Sequence, residues 1–219
     1  MIKNKLHYFW PVLVGQFYNP EHDLIKNELI NFFKEYEKKK PAGNLQLHDE
    51  NYHGNHNLYQ SSYYLHQEKN DALQKVIKFI VLSILETVKT ANESKLKELE
   101  NKKPHFNIKL KESWFIRYNQ GGVVYPHKHD QCSWSCIYYV QANKEAKTMN
   151  GSTYFLRPYQ GHSKLDFGNS YMDSDQMIIN AEEGKLLIFP SHLYHGSHPF
   201  EGDNDRIIIS ANSLIELKV

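Results

Sequence analysis

The chain of 219 residues has little of what would place it in several large classes. It has two cysteines, Cys132 and Cys136. Two thiols cannot build a disulfide framework, and an isolated C-x-x-x-C pair is a weak zinc signal, so both are expected to be ordinary reduced residues. There is no excess of charge: 26 Lys and Arg against 25 Asp and Glu leave a formal net charge of +1. A near-neutral chain offers no bulk attraction for nucleic acid or for an anionic membrane surface. No apolar run reaches the roughly 18 residues that a membrane helix needs. The N-terminal apolar stretch is short, is broken by Pro11 and has no small-residue cleavage site after it. No signal peptide is therefore expected, and the expected location is the cytoplasm. No internal repeat is visible.

What remains is an ordinary globular composition, with 40% hydrophobic and 23% charged residues. The length suffices for one substantial domain, expected to span residues 1–219. Aromatic residues make up 13%, including 15 Tyr, which suits a sheet-rich fold because aromatics pack well on pleated surfaces.

Along the chain, residues 7–18 read as one or two short strands bounded by Pro11 and Pro20. Leu24, Ile25, Leu29, Phe32, Phe33 and Tyr36 then recur at helical spacing, closed by a lysine run before Pro41. Residues 42–62 are rich in Asn, His, Gly and Ser and read as a loop, with His48, His53 and His56 solvated in it. A second helix is expected from Asp71, a candidate N-cap, with Leu73, Val76, Ile77, Ile80, Val81, Ile84, Leu85 and Val88 on one apolar face. Residues 90–103 read as the helix end and a linker. From Phe106 onward the texture is β, with short strands expected at 108–118, 135–141, 152–156, 177–179, 185–189 and 206–214, punctuated by Gly, Pro, Asn and Asp.

Two segments carry chemistry. In YNQGGVVYPHKHD (118–130), His127 and His129 are two apart, and on extended backbone residues i and i+2 share a face. Two imidazoles so placed can grip one ion, although imidazole alone does not choose between iron, zinc, copper and nickel. The second segment, EGKLLIFPSHLYHGSHP (183–199), is an apolar strand followed by a turn with three histidines. It leads to Arg206, which shares a strand face with Ile208 and Ser210. An inward guanidinium is costly without an anion, and its planar fork suits a carboxylate. The alternative is that Arg206 opens an edge strand and pairs with Asp203 or Asp205.

Taken in order, these motifs resemble the 2-oxoglutarate/Fe(II) oxygenase superfamily, in particular its prolyl-4-hydroxylase-like group and the related 2OG-Fe(II) oxygenase family of microbial proteins. Tyr118, Gly121 and His127 match the Tyr, Gly and first metal histidine of that group. SCIYYV (135–140), Gly151 to Phe155, Gly184 to Ser191, His195, Arg206, Ser210 and Asn212 follow in the family's order, so the resemblance covers residues 106–215. It implies a mainly β fold with flanking helices around a double-stranded β-helix (jelly roll), with residues 1–105 as helical support and N-terminal strands and 106–219 as the catalytic core. It implies Fe(II), 2-oxoglutarate and O2 as cofactors, and hydroxylation of a small-molecule or protein side-chain substrate with release of succinate and carbon dioxide. It implies His127, His129 and His195 as metal ligands, and Arg206, Tyr118 and Ser210 as the 2-oxoglutarate site.

The departure from the pattern is His129, which stands where the usual triad has a carboxylate. Either the metal takes three histidines or a local bulge brings Asp130 inward; His129 is the expected ligand. Loops at 143–150 and 159–174 are the candidate substrate-specificity elements; Arg157 or Tyr159 could touch substrate, although a plain surface role is the more expected. Two other readings use the same residues: a cupin-like three-histidine metalloprotein that does not take 2-oxoglutarate, and a non-enzymatic jelly-roll binding module.

Overall fold

The computed structural model describes residues 12–41, 43, 57–143, 149–157 and 176–218. The histidines at 48, 53 and 56, the strand expectation for residues 7–11, residues 144–148 of the 143–150 loop and all of the 159–174 loop lie outside them.

Two helices form where apolar residues recur every three to four positions. Helix α1 (His22–Lys39) buries Ile25, Leu29, Phe33 and Tyr36, while Leu24, expected on the same face, is 82% exposed. Helix α2 (Asp71–Ala91) buries Ala72, Leu73, Val76, Ile80, Ile84 and Val88. Its N-cap is Asn70 rather than Asp71: the Leu73 N–H donates to the Asn70 side-chain oxygen at 2.9 Å. Asp71 instead sits in the first turn, where a carboxylate favours the positive end of the helix dipole. The segment expected to be helix end and linker adds a short helix α3 (Glu93–Glu98) and a single 3-10 turn. Among the described residues no helix is long and apolar enough to cross a membrane.

Among the described residues nine strands form: β1 (Gly15–Tyr18), β2 (Leu58–Gln60), β3 (His105–Tyr118), β4 (Trp134–Gln141), β5 (Thr153–Leu156), β6 (Gln176–Ile179), β7 (Lys185–Pro190), β8 (His195–Ser197) and β9 (Arg206–Lys218). They make an antiparallel six-stranded sheet in the order β1-β7-β4-β9-β3-β2 and a three-stranded sheet in the order β6-β5-β8. This is the mainly β, jelly-roll architecture expected. Strand β2 falls in the segment read as a loop. Its pairing with β3, Leu58 opposite Tyr118 and Gln60 opposite Ile116, is a long-range contact that three residues after a polar tract do not announce.

Alternation divides the larger sheet into two faces. Phe115, Cys136, Tyr138, Val140, Leu186, Ile188, Ile207 and Ile209 point to the helices and share a core with α1 and α2. Trp114, Ile116, Tyr118, Ile137, Tyr139, Leu187, Phe189 and Ile208 point the other way and pack with Phe155 and Ile179 of the smaller sheet. Both cysteines are free thiols, and burial pushes that of Cys136 up to about 12.

Candidate active site

Between the sheets lies a cavity of about 590 Å³ whose walls include His127, His129, His195, Arg206, Ser210 and Tyr118. Strand and loop geometry bring the three histidines together from distant parts of the sequence. His195 opens β8, and an isolated antiparallel bridge joins it to His127: each backbone N–H donates to the other residue's carbonyl at 2.9 Å. The His129 N–H donates to the Ser191 carbonyl at 2.9 Å, which anchors the loop to the turn after β7. One ligand-capable atom from each ring lies within 4.8 Å of the others.

The ring environments suit metal ligation. His127 Nδ1 lies 2.8 Å from the Tyr125 carbonyl, and His195 Nδ1 lies 2.9 Å from the Leu193 carbonyl. A carbonyl only accepts, so each Nδ1 carries the proton and each Nε2 keeps a lone pair. The third ring, His129, has its Nδ1 3.5 Å from the Asn212 amide nitrogen. That amide also donates to Glu112 at 3.0 Å and accepts from Ser135 Oγ at 2.8 Å. Asp130, the alternative to His129, points away: its carboxylate is 78% exposed and pairs with Lys128 at 3.4 Å. The other two histidines of the second segment, His192 and His198, are not in the cluster.

Arg206 begins β9, which is flanked by β4 and β3 and so is not an edge strand. The residue is 1% exposed. Antiparallel register sets Tyr118 opposite it, and the guanidinium stacks over the Tyr118 ring at 4.1 Å, with Tyr139 at 5.5 Å. None of its three nitrogens has a hydrogen-bond partner among the described residues. Asp205, one candidate partner, instead lies 3.8 Å from Arg117, which also makes bidentate hydrogen bonds to Glu37. Burial raises the pKa of the neighbouring Tyr139 phenol, and the Arg206 charge partly opposes that. The phenol is tied to Thr153 at 2.6 Å.

Gly151 is shaped to this arginine. Its φ is +58°, a left-handed conformation that L side chains rarely adopt, and an added Cβ would stand 2.8 Å from Arg206 Cδ. Ser210, 6% exposed, lies on the same face of β9 as Arg206 and lines the cavity.

Gln60, Tyr63, Glu112 and Trp114 also line the cavity, and the sequence motifs do not mark them. Trp114 is within reach of sequence reasoning, because it alternates with Ile116 and Tyr118 on one strand face. Gln60 and Tyr63 are not, since they enter through the unannounced pairing of β2. Arg157 is described and half-buried, whereas Tyr159 is outside the described residues.

Comparison with known proteins agrees with this geometry. A family model described as "Putative 2OG-Fe(II) oxygenase" matches residues 112–212. No curated protein sequence matches the chain. Among solved structures, a prolyl-4-hydroxylase from Pseudomonas putida superposes with a TM-score of 0.56 at 14% identity, covering 91% of both chains. HygX from Streptomyces hygroscopicus, solved with nickel and 2-oxoglutarate bound, gives a TM-score of 0.58 at 11% identity over 91% of this chain and 81% of its own. A prolyl hydroxylase from Trichoplax adhaerens, in complex with a hypoxia inducible factor peptide fragment, gives 0.50 at 12% identity over 92% of this chain and 83% of its own. Over residues 112–212 the chain therefore matches the 2OG-Fe(II) oxygenase family, and the jelly roll that surrounds its three clustered histidines is the fold of the oxygenases it resembles.

Proposed function

We propose that the protein is an Fe(II)- and 2-oxoglutarate-dependent oxygenase that hydroxylates its substrate and releases succinate and carbon dioxide. The observation that carries this reading is Arg206. A fully buried guanidinium with no acceptor among the described residues is strongly destabilising unless a ligand supplies the anion. It opens on the same cavity as the three histidines. A dicarboxylate that chelates the metal at one end has its second carboxylate free to meet that fork.

In this reading His127, His129 and His195 hold the iron, and Arg206 orients 2-oxoglutarate through its distal carboxylate. Tyr118 stacks under the guanidinium and fixes its plane, while Ser210 adds a hydroxyl to the lining. The apolar residues around Phe189 and Ile208 limit the entry of water. The oxidative chemistry belongs to the metal and its co-substrates. Three neutral imidazoles leave the metal more positive than two imidazoles and a carboxylate would.

The presence of His129 at the carboxylate position favours a second reading, a three-histidine metalloprotein without 2-oxoglutarate. That reading leaves Arg206 unexplained. Anaerobic calorimetry separates the two. The wild-type protein loaded with metal is expected to bind 2-oxoglutarate, and Arg206→Ala to lose about 2–5 kcal/mol of that binding. Metal affinity should be nearly unchanged. Arg206→Lys should rescue only in part, because an ammonium is a point charge and not a fork. Equal binding by wild type and Arg206→Ala, or binding by neither, overturns the oxygenase reading in favour of the second.

A further inference from the structure

The cavity has a second wall that neither the metal nor the anion uses. Gln60 on β2 and Trp114 on β3 both line it, and each is 6% exposed. The Gln60 side-chain amide nitrogen and the Trp114 indole nitrogen have no hydrogen-bond partner among the described residues. Native proteins rarely leave buried donors unmatched, because each forfeits its bonds to water. Two such donors in one compartment, beside a cavity, mark acceptors that arrive with a ligand.

The register gives this wall its place. Gln60 lies opposite Ile116, and Ile116 opposite Ile208, so Gln60 sits two strands away from β9. At ordinary strand spacing that is about 10 Å to one side of the strand carrying Arg206. Trp114 is opposite Ser210, and its ring centre is 5.8 Å from that of His129. An edge-to-face contact with Tyr63 at 5.3 Å holds the indole in place. The compartment thus begins beside the metal ligands and runs towards the sheet edge formed by β2, away from Arg206. Leu58, Ile116 and Val124 add apolar lining on this side. The charged groups Glu112, Lys128 and Asp130 are more exposed, with side chains 32%, 43% and 78% accessible.

Resting on the oxygenase reading above, we propose that Gln60 and Trp114 are a donor pair that binds the carbonyl oxygen of the primary substrate, and that this substrate presents an uncharged, apolar amide to the metal. The buried part of this wall, away from Glu112, Lys128 and Asp130, carries no charge and suits an uncharged flat or aliphatic body with an acceptor oxygen. A small aromatic amide and a peptide unit share that chemistry.

The test uses zinc-loaded protein labelled with 15N-tryptophan, with and without 2-oxoglutarate. Two probes are titrated, benzamide and N-acetylglycine N-methylamide, with toluene as the control lacking an acceptor. The indole N–H resonance of Trp114, assigned by its absence in Trp114→Phe, should move with at least one amide; the amide that moves it identifies the source. By ligand-observed NMR, Gln60→Leu and Trp114→Phe should each weaken that amide about three- to ten-fold, the worth of one hydrogen bond. Neither variant should weaken toluene or 2-oxoglutarate. If both amides leave the Trp114 resonance in place, or if the variants bind them as wild type does, the donor-pair inference is overturned. Loss of 2-oxoglutarate binding with the amide response intact instead overturns the oxygenase reading and leaves the donor pair standing.

Discussion

The two faces of the six-stranded sheet are built from the same strands and do opposite things with polar groups. On the helix side, Phe115, Ile207 and Ile209 meet Leu29, Phe33 and Ile80 in a close-packed apolar layer. On the cavity side, the alternate residues of the same strands include Arg206, Ser210 and Trp114. Among the described residues five have unmatched buried side-chain atoms: Gln60, Trp114 and Arg206 line the cavity, His22 meets Tyr138 on the helix side, and His198 is not part of the cavity lining. Because side chains alternate, one strand can hold a stable layer and a ligand-facing layer at once, and one face can be altered without the other. The unmet demand for partners is concentrated where ligands are expected.

The largest expected effect strikes the cavity face. His127→Ala combined with His195→Ala should abolish tight metal binding, read by metal analysis of the purified protein, with the circular dichroism spectrum unchanged. Retained metal would mean that other residues hold it. The converse change is Phe115→Ala, which empties a site stacked on Phe33 at 4.2 Å and on Tyr59 at 5.5 Å. It should cost about 3–5 kcal/mol in urea unfolding, with metal affinity preserved in the folded fraction. A smaller effect is expected at Asn70: removing the cap with Asn70→Ala should cost about 1 kcal/mol and leave ligands untouched.

The smallest effect concerns pH. Burial lowers the pKa of His22 below its ordinary 6.5, against the opposing charges of Glu183 and Asp23. Burial also lowers that of His66. A depressed folded-state pKa means that the unfolded chain takes up the proton more readily. The stability these groups contribute is full above pH 6.5 and falls as the pH drops through the folded values. The urea midpoint should therefore decline between pH 7.5 and 5.5, and His22→Phe should flatten part of that decline. An unchanged slope would mean that His22 does not contribute.

Much of this was legible in the sequence, for a reason tied to particular residues. Sequence pattern marked α1, α2 and seven of the nine described strands, all but β2 and β8, because apolar spacing reports burial directly. The histidines and Arg206 stood out because their chemistry is unusual next to apolar runs. What the sequence withheld was register. Tyr118 and Arg206 are 88 positions apart, and only the pairing of β3 with β9 reveals that one stacks on the other. Strands β2 and β8, each three residues long, carry too few side chains for a period to show. Strand β9 continues to Lys218, four residues past its expected end at Leu214, because β3 stays paired with it there. The choice of Asn70 over Asp71 as cap was equally hidden, since both side chains can cap and backbone geometry decides: Asn70 has the extended conformation, φ −146° and ψ 130°.

If Arg206 binds a ligand carboxylate as proposed, its buried guanidinium, without a partner among the described residues, makes the robustness of the fold depend on the supply of that anion. By mass action, a ligand at about 100 times its dissociation constant adds about 2.7 kcal/mol to stability, so the melting temperature should climb with 2-oxoglutarate concentration. Replacing the arginine with an apolar residue of similar length, Arg206→Met, removes a buried charge that the empty protein must carry. The ligand-free variant should then unfold at a higher temperature than wild type, and its melting point should no longer respond to 2-oxoglutarate. Under the proposed role, position 206 would exchange intrinsic durability for responsiveness, and selection for thermal tolerance alone would be expected to erase the arginine first.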